Sequence, residues 1–169
     1  EAVFAAGGEP AGAYAPPRQF GRFSVESRLA YPAVARALDA AGFASGEDGV
    51  LRRRDDGAAA RVGVAVWDRD GSAAGNRAYF KDYAASGRVM GRGQLFAYTL
   101  PTSVAAECAI AFRLTGPLFY AAEPDGGPGS ARRAAEAMLA DGLAEAMVLL
   151  TVAADAARAC VLVGEKGAE

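Results

Sequence analysis

The chain has 169 residues, 52% apolar and 22% charged, enough for one compact α/β core with a charged surface, too short for two cores, and unlike a disordered chain. Eighteen basic against twenty acidic residues leave a net charge of −2 without a concentrated cationic face, which argues against nucleic acid as a partner. No apolar run reaches the roughly 18 to 20 residues that span a bilayer, because Glu145, Asp155 and Arg158 bracket the longest one, so no membrane partner is expected.

In chain order, Ala2 to Ala6 reads as a short buried strand closed by Gly7-Gly8, and Pro10, Pro16 and Pro17 then keep residues 9–24 in loop. The acidic Glu1 opening predicts no signal peptide, and the missing initiator Met a trimmed start. Leu29, Val34, Leu38 and Ala41 recur at helical spacing and predict a helix over 27–41, with Pro32 near its first turn and Gly42 ending it. Residues 45–60 mix charges with glycine and carry no period, so the run Arg52 to Asp56 is read as a solvated turn. Val62 to Trp67 is a β-branched core strand, and it opens into the loop Asp68, Asp70, Gly71.

A helix over 75–86 carries Tyr79, Phe80 and Tyr83, which core packing explains better than base stacking does. A further helix runs from Ser103 to Phe112, followed by the turn Thr115-Gly116-Pro117 and a strand Leu118, Phe119, Tyr120, Ala121, Ala122. After the glycine-rich loop 125–129, Ser130 caps a helix that ends at Gly142. Residues 146–152 and 159–163 are two buried strands. Alternating strands and helices predict an α/β fold with a mainly parallel sheet, helices on both faces and an antiparallel strand near the C-terminal end. The two cysteines, Cys108 and Cys160, lie in apolar runs and are read as buried structural thiols; they fit a reducing, cytoplasmic setting and no zinc spacing.

The segment LFAYTLPTSVAAECAIAFRLTGP at 95–117 resembles the stretch before the active-site strand of the β-ketoacyl synthases, with Arg113 to Pro117 as that family's turn. In the same order, RLAYPAVARALDAAGF (28–43) looks like the family's early helix, VGVAVWDRDGS (62–72) like the strand and loop that follow it, and 131–155 like the helix and strand behind the nucleophile. The resemblance covers about residues 20–163 and implies a thiolase-like fold: the first of two similar three-layer halves, with a five-stranded mixed sheet. Family members load an acyl chain on a Cys of this half and draw two His, or His and Asn, from the other.

Counting on from Pro117 places the family's nucleophile on Asp125, in Glu123-Pro124-Asp125-Gly126-Gly127, and the family's helix-ending glycine on Gly142. An acyl-aspartate would be a mixed anhydride prone to hydrolysis, so Asp125 cannot replace a thiolate. The chain also contains no histidine to act as base or metal ligand. The expectation is therefore a non-catalytic ketosynthase-like protein in or beside fatty-acid or polyketide synthesis, one that pairs with an active synthase or shapes its acyl pocket as chain-length-factor subunits do, with no cofactor, metal or catalytic residue.

In this family the strand matching Leu118 to Ala122 pairs across a dimer axis, so a homodimer, or a heterodimer with an active ketosynthase, is expected, with acyl carrier protein as a further partner. Two rivals stay open. One is a condensing-enzyme half completed by a second polypeptide; the other is a small-molecule domain using loops 68–76 and 123–130. Asp68 with Asp70 could act as an acid and base or hold Mg²⁺, and the loop from Asp125 to Ser130 could cradle a phosphate, but a strand-end loop and a plain turn explain them more simply.

Overall fold

The computed structural model describes residues 2–5, 17–87, 89, 91–121 and 127–164, the first four by backbone alone. In chain order the elements are β1 (Ala2–Ala5), α1 (Val25–Ala40), β2 (Phe43–Ser45), β3 (Leu51–Arg53), β4 (Val62–Asp68), α2 (Ala73–Ala85), α3 (Gly93–Ala97), α4 (Ser103–Ala111), β5 (Leu118–Ala121), α5 (Gly127–Ala140), β6 (Ala146–Val152) and β7 (Ala156–Val163), with a 3₁₀ turn at Phe20–Arg22. Five strands form one sheet in the order β1-β7-β6-β4-β5, and β2 and β3 form a separate antiparallel pair. β4 is parallel to β5 and β6, whereas β7 runs antiparallel to both β6 and β1. Four strands therefore share a direction and only the C-terminal strand opposes them.

Strand alternation divides the core in two. Val62, Val64 and Val66 of β4 and Val148, Leu150 and Val152 of β6 face α1 and α4, together with Tyr31, Leu38 and Phe112. Ala65 and Met147 face the other way, toward Ala131 and Ala135 of α5. The alanines on both sides let α5 lie close to the sheet, and the result is helix, sheet, helix. The second face is less covered, because Leu149 and Leu162 beside α5 are only partly buried.

α1 begins two residues before the periodicity predicts. Ser24 Oγ accepts the Ser27 N–H at 3.1 Å and donates to the buried Ser27 hydroxyl, which satisfies helix-start groups that would otherwise be orphaned. Pro32 consequently sits well inside the helix rather than near its first turn. Ser24→Ala should cost about 1 kcal/mol, read as a lower denaturation midpoint at unchanged slope.

Residues 45–60 are not merely a solvated turn. Phe43 and Leu51 are buried, and they anchor the β2–β3 hairpin whose outer residues are the charges. Arg52 pairs with Asp48 at 2.8 Å, Arg53 with Asp56 at 3.0 Å and Glu145 at 2.5 Å, and Arg54 with Asp39. α5 starts at Gly127, so Ser130 lies inside the first turn, where its hydroxyl donates to the Gly127 carbonyl, rather than capping the helix. Gly42 and Gly142 follow α1 and α5 with φ of 82° and 66°, the left-handed conformation that ends a helix without a Cβ clash.

Candidate functional site

The C-terminal ends of β4 and β5 bring Asp68 and Tyr120 to one edge of the sheet, beside Glu26 from the first turn of α1. Asp68 Oδ1 accepts the Asp70 N–H at 3.0 Å, which folds the loop back on the strand end. Burial pushes the Asp68 carboxyl up to about 6; the Asp70 N–H opposes this, and the charges of Asp70 and Glu26 add to it. Tyr120 is raised as well, by burial first and then by the Asp68 charge.

This edge is cramped. The two hollows at Asp68 measure about 30 Å³ each, room for about one water by ordinary cavity standards. Among the described residues, no group of three or more carboxylate or cysteine side chains is placed to hold a metal ion.

The raised carboxyl has a definite consequence for stability. In the folded state Asp68 binds its proton more tightly than an ordinary aspartate, so stability should fall as pH rises from about 4 to about 6 and the charged form becomes trapped in the half-buried site. Asp68→Asn keeps the oxygen that accepts from Asp70. It should remove that slope and stabilise the protein above pH 6 by on the order of 1 kcal/mol, the partial exposure of the group being allowed for. Denaturation midpoints of both proteins across pH 4 to 8 check this, and parallel pH profiles would sink it.

Asp125, where the ketosynthase resemblance would put the nucleophile, lies outside the described residues, as do Ala122, Glu123 and the start of the loop read as a phosphate cradle. The flanking structure is clear: β5 ends at Ala121 and α5 begins at Gly127 with φ 56°. Cys108 is fully buried on α4, and desolvation, with the Glu107 charge second, pushes its thiol well up, so it is no nucleophile. Cys160 on β7 is partly exposed, where sequence reading expects full burial, because the second face of the sheet is incompletely covered there. No described helix is long and apolar enough to cross a membrane.

Among the described residues β5 is the edge strand of the sheet, paired on one side only, to β4. Its Leu118 is 38% exposed, Phe119 and Tyr120 are half-buried and Ala121 is buried, while Ile110 on neighbouring α4 is 77% exposed. Leu118 and Ile110 are thus exposed apolar side chains on neighbouring elements at this edge of the sheet.

Sequence reasoning overlooks a hollow of about 700 Å³ at the opposite end of the strands. It is lined by the apolar Phe43, Leu139 and Val163 and by the cations Arg53, Arg54 and Arg61. Arg53 and Arg54 are held by carboxylates, and Arg61 donates to the Gly142 carbonyl at the end of α5. The cations here offset carboxylates and the negative C-terminal ends of α1 and α5, so among the described residues the hollow presents no uncompensated charge that would select a ligand. Compared with models of known protein families and with curated proteins, the sequence matches none.

Proposed function

We propose that this chain is a non-catalytic, ketosynthase-like protein that works by association, in or beside cytoplasmic fatty-acid or polyketide synthesis. The observation that carries the reading is the ordered string of ketosynthase-like segments over about residues 20–163, in which aspartate takes the nucleophile's position and histidine is absent from the chain. A mixed five-stranded sheet with helices on both faces is compatible with a thiolase-like half. The start of α5 shortly after the Asp125 position, and the unpaired β5 edge beside Leu118 and Ile110, support it further.

The partner in this reading is a second copy or an active ketosynthase, joined through β5, with acyl carrier protein brought in by the assembly. The test has two arms. Incubated with acyl- and malonyl-pantetheine, the isolated chain should acquire no acyl group by intact-mass spectrometry, and it should release no condensation product. Mixed with a separate synthase or at rising concentration, it should form a dimer that Leu118→Arg abolishes. Turnover by the isolated chain defeats the proposal, as does a monomer under all these conditions.

The partly covered sheet face at Leu149 and Leu162, with Val163 exposed next to it, favours one second reading: a second polypeptide packs there and supplies the missing catalytic groups. Activity that appears only on mixing two chains, and survives Leu118→Arg, would select it.

A further inference from the structure

We infer that the outward face of α2, with α3 beside it, is a docking surface for an acidic polypeptide. The sequence pattern predicts that the α2 aromatics enter the core, yet no residue of this 13-residue helix is buried. Its rings instead make a separate cluster. Tyr79 stands 5.5 Å from Phe80, 6.2 Å from Tyr83 and 5.6 Å from Phe96 of α3, and Phe80 and Phe96 remain 61% and 54% exposed. Val89 and Leu100 on the same stretch of chain are exposed too. Exposed aromatics gathered in one place are a mark of an interaction surface.

The surface is also held in a set shape. A Cβ on Gly75 would lie 1.9 Å from the Tyr98 carbonyl oxygen, and one on Gly91 would lie 2.6 Å from the Tyr79 ring, so α2 is seated tightly on the chain around α3. A preformed surface avoids part of the ordering cost of binding.

Charge identifies the occupant. Residues 73–97 contain Arg77, Lys81, Arg88 and Arg92 against the single acid Asp82, although the chain as a whole is net acidic. Asp82 is taken up by Arg92 at 3.1 Å. Arg77 and Lys81 are exposed and make no ion pair among the described residues; Arg77 borders the acidic Asp68 loop, and Lys81 faces open solvent. Helical spacing puts Arg77, Phe80, Lys81 and Ala84 on one face.

That interleaving discriminates among partners. A second copy docked face to face would set cations against cations. An interfacial membrane helix segregates its cations to the face opposite its aromatics, which α2 does not do. Nucleic acid demands a longer cationic track than the two free side chains found here among the described residues. An acidic, amphipathic polypeptide satisfies both the rings and the charges.

The intact chain is to be titrated by fluorescence anisotropy against a labelled amphipathic peptide of Glu, Ala and Leu. A Lys-for-Glu copy of the peptide, labelled oligothymidylate and phosphatidylglycerol vesicles are run in parallel. The Glu peptide should bind, and should weaken at least about tenfold with R77E/K81E, with Phe80→Ser and in raised salt. The Lys copy should bind only the charge-reversed variant. All three substitutions change exposed side chains, so unchanged far-UV circular dichroism is expected of both variants. Absent binding of the Glu peptide, equal binding by wild type and variants, or tighter binding of oligothymidylate or vesicles would each overturn the inference.

Discussion

Valine in place of Gly63 is expected to leave the chain unfolded. Gly63 lies in the inner strand β4, opposite Met147 of β6 and beneath the turn that leads into β5. A Cβ there would come 2.5 Å from the Met147 sulfur and 2.6 Å from the Pro117 carbonyl oxygen, and the latter is backbone that cannot swing aside. Two backbone bonds hold the turn in that place: Val64 N–H to the Pro117 carbonyl at 2.8 Å and Gly116 N–H to the Val62 carbonyl at 2.9 Å. Relief of the clash would break them and pull β4 away from β5 or β6. We expect a loss above about 4 kcal/mol, comparable with the whole stability of a small domain. Loss of the cooperative unfolding transition is the readout, with Gly21→Ala as a neutral control, since nothing lies within 4 Å of a Cβ there. A Gly63→Val protein with an unshifted midpoint would show that the close packing of this turn is misjudged.

Phe112→Ala should be the next most damaging change, by about 3–5 kcal/mol. Phe112 is 1% exposed at the end of α4 and stacks on Tyr31 of α1, with centroids 4.6 Å apart and planes 16° apart. Tyr31 in turn meets Phe20 edge-on at 5.5 Å, and burial pushes its hydroxyl up to about 12, so the three rings pin α1, α4 and the 3₁₀ turn together. In a double-mutant cycle with Tyr31→Leu, a coupling of about 0.5–1.5 kcal/mol is expected from the ring pair itself. A Phe112→Ala cost below about 1 kcal/mol would mean that the neighbours collapse into the space.

Much of the architecture is legible in the residues. The β-branched run at 62–67 and the apolar run at 146–152 each carry one unmixed signal, Leu29, Val34 and Leu38 recur at helical spacing within α1, and glycines at 42 and 142 stop helices where the left-handed turn requires them. The β2–β3 hairpin is not legible: each strand has three residues, and only Phe43 and Leu51 supply its hydrophobic anchor amid charge. The start of α1 carries a readable signal in Ser24, a capping residue three before Ser27, which apolar periodicity alone does not weigh.

Of the candidate site, the sequence by itself determined composition: no histidine, two cysteines in apolar runs, and strands alternating with helices. These follow from residue identity and spacing along one dimension. Only the tertiary structure decided which chemistry the surroundings permit. Burial at the end of β4 lifts Asp68, complete burial silences Cys108, and the edge position of β5 leaves its backbone unpaired on one side among the described residues. Likewise, the aromatic spacing of α2 is identical for a core helix and an outlying one. What separates the two is whether a sheet lies opposite the rings, and for α2 the nearest neighbour is α3.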